Sequence, residues 1–156
     1  MDESSKGRKV REALRLAVEI CKTFEGFKSE PYNCPAGVPT IGYGSTYYLD
    51  GTRVTLQDKP ITQSQAELIL IKVLLIYIQD VLKASPTLAN NEPVLGAITS
   101  FCYNLGVSRY RASTLRKRID SQDWAEARLE IMRWTRCNGK ILKGLVKRRT
   151  VEAMLI

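Results

Sequence analysis

Residues 66–82 read AELILIKVLLIYIQDVL, a run that is apolar almost all the way round a helix, with charges only at Glu67, Lys72 and Asp80. A helix with one apolar stripe can lie on a protein surface, but one that is apolar on every side has to be enclosed by other elements. Thr62 opens it, with Gln65 three residues later as a capping box, and Ser85-Pro86 closes it. The run predicts a long central helix running through the middle of the protein. Its interior charges, and the absence of any stretch of ~18 uninterrupted apolar residues, argue against stable membrane insertion.

The rest of the chain supplies elements to wrap it. A first helix is expected over Arg8–Phe24, where Val10, Leu14, Ala17, Val18 and Cys21 form one stripe, and Glu25-Gly26 breaks it. Between Pro31 and Lys59 the composition shifts to Gly, Pro, Tyr and Thr. Asp50-Gly51 separates TIGYGSTYYL from TRVT, which predicts a hairpin and a small antiparallel sheet. Pro93 opens a helix that Gly106 ends, and STLRKRID, DWAEARLEIMRW and GLVKRRTVEAMLI read as further helices, the last following the Asn138-Gly139 turn. The fold class is α+β. No repeat or linker interrupts residues 1–156, so one domain is expected, as a monomer. It divides into a sheet lobe over about 25–60 and a helical lobe from 1–24 and 61–156.

The chain has no histidine, which excludes every His-based triad and every metal site that needs imidazole. Its four cysteines, Cys21, Cys34, Cys102 and Cys137, form no C-x-x-C pair, so no metal or other cofactor is expected. Free, mostly buried thiols are the plain reading. The net charge of +8 arises wholly in residues 101–156, because residues 1–100 balance. Such a surface suits an anionic partner such as a cell envelope. The basic residues are mixed with Leu, Ile and Trp at helical spacing and no base-reading motif occurs, so nucleic acid is not an expected partner. The N-terminal MDESSKGRKVREALRLAVEICK reads as neither signal peptide nor anchor, which places the chain first in the cytoplasm.

Glu25 is the first candidate for chemistry. It stands at a helix end between Phe24 and Phe27, and a carboxyl held against aromatic rings can stay protonated near neutrality, the profile of a general acid. Glu25-Gly26, Tyr32, Gly37 and Thr40-Ile41-Gly42-Tyr43-Gly44 are followed by Ser100-Phe101-Cys102-Tyr103-Asn104-Leu105-Gly106, Ser113-Thr114-Leu115, Arg133-Trp134, and Gly144-Leu145 with Arg148, Arg149 and Glu152. In this order and spacing they resemble the phage-type lysozymes, the endolysins, over roughly residues 15–156. The resemblance implies a lysozyme-like fold and a muramidase that hydrolyses the β-1,4 bond from N-acetylmuramic acid to N-acetylglucosamine in peptidoglycan, without metal or cofactor. It implies Glu25 as the general acid and Thr40 as the residue orienting water. Tyr103, Asn104 and Thr114 fall at positions facing substrate, and Arg148-Arg149 at a bracing basic pair. It also implies release from the host bacterial cytoplasm to the wall through a separate, holin-type pore.

The chain departs from the pattern twice. Ser45 stands where the family often has histidine, and Cys34 stands where it has a second carboxylate, nine residues after Glu25. Glycoside hydrolysis needs a base or nucleophile opposite the acid, and a thiolate can serve as either. An ordinary thiol titrates near ~8.5, above the ~6 of a lysozyme-type acid. With that order only roughly 0.3% of molecules hold the acid protonated and the thiol ionised together. Either something lowers the Cys34 pKa, or Cys34 stays neutral beside a working Glu25 and Thr40, or the chain is an inactive lysozyme-fold protein that binds peptidoglycan. Retention of Glu25 with Thr40 favours an active enzyme.

Overall fold

The structure, a computed structural model, describes residues 3–156. Helix α1 spans Glu3–Glu25 and leads into a two-stranded antiparallel sheet, β1 Lys28–Asn33 with β2 Pro39–Gly42. Helix α2 spans Gln63–Ala84, and a 3-10 turn, Pro86–Asn90, carries the chain into α3, Glu92–Leu105. The shorter helices α4 Val107–Arg111, α5 Thr114–Asp120 and α6 Trp124–Ile131 follow. A minimal hairpin, β3 Arg136–Cys137 with β4 Lys140–Ile141, then precedes α7, Lys143–Met154. The α+β reading holds. Among the described residues, no helix is long and apolar enough to cross a membrane.

Two local expectations change. The ladder is not built around Asp50-Gly51: β1 and β2 pair across the turn at 34–38, where the Cys34 N–H donates to Val38 O at 3.0 Å and the Gly37 N–H to Cys34 O at 2.8 Å. Asp50-Gly51 does reverse the chain, but only the single bridge Tyr47–Arg53 forms across it. The Asp50 carboxylate accepts from the Thr52 N–H and hydroxyl, which holds a compact turn and leaves little length for a ladder.

The second change concerns the central helix. The capping box on α2 is present in both directions, Thr62 Oγ1 accepting from Gln65 N–H and Gln65 Oε1 from Thr62 N–H. Yet α2 buries only one face, Ala66, Ile69, Leu70, Leu74, Ile78 and Val81, and leaves Leu68, Leu75 and Ile76 exposed. The enclosed helix is α3, in which every residue from Val94 to Cys102 is buried. Small residues explain the exchange. A Cβ on Gly96 would stand 3.0 Å from both Ala13 O and Leu16 Cβ, so α1 packs directly on the α3 backbone. Bulky Leu and Ile on α2 hold neighbours further away, so fewer neighbours fit around it. The core has two parts, one gathered on α3 and one between α1 and α2. Ile98, Phe101, Tyr110 and Ile119 lie in the helical body, and Ala17, Tyr43, Leu70 and Leu74 lie toward the sheet.

Candidate active site

Helix α1 stops at Glu25 because Gly26 takes φ +68°, a left-handed conformation that ends the helix without a Cβ penalty. The Glu25 carboxyl is thereby left at the junction of helix and sheet, with its side chain 24% exposed. Its Oε1 accepts from Arg148 Nη1 at 2.6 Å. Arg148, from α7, is itself buried, and its guanidinium also donates to Ser100 O and Oγ at 3.2 Å and to Glu152 Oε1 at 3.4 Å. The neighbouring Arg149 approaches Glu152 Oε2 at 3.0 Å and donates to Asn104 Oδ1. Two arginines thus share one fully buried carboxylate, and the spare charge of Arg148 reaches out to Glu25. A buried cation without such partners would be heavily penalised.

The other carboxyl oxygen stays open. Gly44, at φ +81°, lies against it: a Cβ there would stand 3.1 Å from Glu25 Oε2 and 3.3 Å from the Tyr103 hydroxyl. Glu25, Gly44, Tyr47, Tyr77, Tyr103 and Asn104 line one cleft of about 330 Å³. Tyr103 donates to Tyr43 O at 2.5 Å, and burial pushes its pKa well above the ordinary phenol value, so it stays a neutral donor. Larger hollows lie between α1 and its neighbours, about 560 Å³ beside Glu19 and Glu67 and about 700 Å³ beside Val10 and Leu95. Glu67 pairs with Lys22 and Glu19 with Arg15 there, both at the surface.

Cys34 opens the turn between β1 and β2, partly exposed, and Thr40 lies buried on β2. The Cys34 thiol has its pKa lowered from the ordinary value, chiefly by the backbone N–H of Val38, then by that of Ala36, with a smaller contribution from the Thr40 hydroxyl. No cation is involved: a tight turn aims its amides at the sulfur and stabilises the thiolate. The Thr40 hydroxyl donates to Val38 O at 2.9 Å, so it has to rotate before it can donate to sulfur. Tyr32, on β1, has its pKa raised by burial first and then by the charges of Glu25 and Cys34.

Of the candidates from sequence, Glu25, Tyr103 and Asn104 meet in the cleft, whereas Cys34 and Thr40 neighbour each other on the β1–β2 hairpin and do not line it. Thr114, exposed at the start of α5, does not line the cleft. Arg148 does more than brace the lobe, since it binds Glu25 directly; a lone basic pair in a helical run carries no signal of a carboxylate 123 positions away. Cys21 and Cys102 are buried, and burial pushes the Cys21 thiol up to about 12, while Cys137 is exposed and all four are free. Among the described residues no three Cys, Asp or Glu side chains converge as a metal site requires.

A helical body that holds one anchored, partly buried carboxyl beside a small sheet is the arrangement of a lysozyme-type glycosidase. The chain belongs to the phage lysozyme family, which it matches over residues 22–152. It is 34% identical over 140 residues to an endolysin of Acyrthosiphon pisum secondary endosymbiont phage 1, covering 87% of this chain and 91% of that one. It is 33% identical over 130 residues to the SAR-endolysin of Bacteriophage PS119, covering 82% and 73%. Its fold is similar to that of the endolysin from Escherichia coli O157:H7 phage FAHEc1, with a TM-score of 0.79 and 31% identity over 90% of each chain.

Proposed function

We propose that the chain is a phage endolysin acting as a muramidase, which cleaves the β-1,4 bond from N-acetylmuramic acid to N-acetylglucosamine in peptidoglycan. The observation that carries this reading is the asymmetry of Glu25. One oxygen is tied to Arg148 at 2.6 Å, and the other lies open beside Gly44 in the cleft wall. Glu25 then donates its proton from Oε2 to the leaving glycosidic oxygen, while Arg148 holds the carboxyl in one orientation through the reaction. Cys34, as a thiolate stabilised by the Val38 and Ala36 amides, takes the place of the second carboxylate, either activating water or attacking the anomeric carbon. Thr40 directs the water from beside it. Tyr103 and Asn104 contact the bound glycan; Thr114 contributes only through a strand long enough to reach α5. In the host such an enzyme reaches the wall from the cytoplasm through a separate, holin-type pore.

Digestion of purified sacculi tests the reading. Wild type should release fragments whose new reducing ends, after borohydride reduction, are muramitol, and Glu25→Gln should release none while still sedimenting with sacculi. New ends reduced to glucosaminitol would replace the muramidase assignment with the opposite bond. Binding without any new ends in wild type would make the chain a peptidoglycan-binding protein with a silent site.

A further inference from the structure

The turn at Asp50-Gly51 takes no part in the acid chemistry, yet it is held from several sides. Asp50 Oδ1 accepts from Thr52 N–H at 2.9 Å and from Thr52 Oγ1 at 2.7 Å. The Tyr48 N–H donates to Thr52 O at 2.9 Å and the Gly51 N–H to Tyr48 O at 3.0 Å. Lys72 on α2 donates to Leu49 O, which ties the turn to the helix behind it. The product of this bracing is the pair bridged across it, Tyr47 and Arg53.

Arg53 Nε donates to the Tyr47 hydroxyl at 3.1 Å, and the guanidinium carbon lies 5.4 Å from the ring centroid, over one face. Tyr47 is nonetheless 43% exposed, and it lines the same cleft as Glu25. Arg53 is exposed, and among the described residues no carboxylate lies within ion-pair distance of it. An aromatic ring immobilised at a cleft edge, with one face covered and the other free, suits the flat C–H face of a sugar ring, and its ordering cost is met before any ligand arrives. A guanidinium has five N–H donors in a planar fork. Only one is engaged with Tyr47, which leaves the fork able to take a carboxylate.

We propose that Tyr47 and Arg53 form a glycan subsite at the edge of the cleft. The free face of Tyr47 stacks on a sugar ring, and Arg53 pairs with a carboxylate carried on a muramyl residue, either the lactyl group or the stem peptide. The proposal rests on the glycan-cleaving reading of the cleft and names which substrate features that cleft selects.

The experiment measures binding by Glu25→Gln protein, so that it reads the subsite whether or not wild type cleaves. Three ligands are compared: peptide-bearing glycan strands, strands stripped of peptide that retain the free lactyl carboxylate, and chitooligosaccharides, which carry no carboxylate. Tyr47→Ala should weaken binding of all three about tenfold, the scale of one lost aromatic stack. Tyr47→Phe should stay within about twofold, which separates stacking from a structural need for the hydroxyl. Arg53→Gln should lose about tenfold on carboxylate-bearing ligand and nothing on chitooligosaccharides. Loss confined to peptide-bearing strands assigns the carboxylate to the stem peptide, and loss confined to stripped strands assigns it to the lactyl group. Unchanged binding in Tyr47→Ala, or an equal loss on all three ligands in Arg53→Gln, overturns the subsite. Both side chains are exposed, so thermal unfolding midpoints should hold, and a midpoint that falls with binding in every variant also overturns it.

Discussion

At Cys34 a turn takes over the task of a charge. Sequence reasoning looks for a lysine or arginine to stabilise a thiolate here and finds none between Ser29 and Thr52. The stabilising groups are the Val38 and Ala36 amides, which no residue letter records, because every residue except proline carries the same N–H. The sign of the effect gives a pH prediction. A lowered pKa keeps the thiolate populated to lower pH than a free cysteine would, and activity should fall as pH drops through that lowered value and the thiol is protonated. Cys34→Asp should move this limb to more acidic pH, and Cys34→Ala should lose at least about tenfold in rate, both read from pH–rate profiles on sacculi between pH ~5 and ~9. A loss well under tenfold in Cys34→Ala would reduce Cys34 to filler. Glu25 and Thr40 were legible as a spacing, whereas the Arg148 contact was not, since it depends on how α7 folds back across α1.

Among the elements, α2 and α3 show what a hydrophobic pattern leaves out. Apolar letters count how much of a helix could be buried; they do not say how closely neighbours can approach. α3 carries Gly96, Ala97 and Ser100 and is enclosed, while α2 carries more Leu and Ile and keeps Leu68, Leu75 and Ile76 on the surface. Its termini, by contrast, were readable to the residue, because a cap is local chemistry: Thr62 and Gln65 bond each other's backbone as the pattern requires. Thr62→Ala should cost about 1 kcal/mol, by loss of the cap, and lower the melting midpoint by roughly 2–4 °C. A calorimetric scan with no shift would mean that packing alone fixes where α2 begins. The Asp50-Gly51 turn was equally visible as a turn, but its letters did not disclose how short the paired segments are, since the length of a ladder depends on both strands at once.

For the whole molecule the surplus of positive charge stays almost wholly outside the core. Residues 101–156 hold 13 basic and 5 acidic side chains, and the structure takes Arg148, Arg149 and Glu152 inside, leaving 11 and 4 toward solvent. Surplus positive charge of this kind is drawn to an anionic surface over a distance that salt shortens, from about 30 Å at 0.01 M to about 8 Å at 0.15 M. Lysis of outer-membrane-permeabilised cells should therefore slow severalfold across that range, while cleavage of small neutral glycan fragments should change little. Equal salt responses for cells and fragments would place the dependence in the cleft instead of on the surface.

The contact between Arg148 and Glu25 joins positions 123 residues apart. During synthesis the ribosome holds the most recent few tens of residues in its tunnel, so the carboxyl can be made, exposed and already set at the end of its helix while its arginine is still unmade. The bond that orients it closes only when α7 has emerged and docked. The contact therefore depends on a helix made long after the carboxyl it holds, and chains that stop short of α7 carry Glu25 without the partner that fixes its orientation.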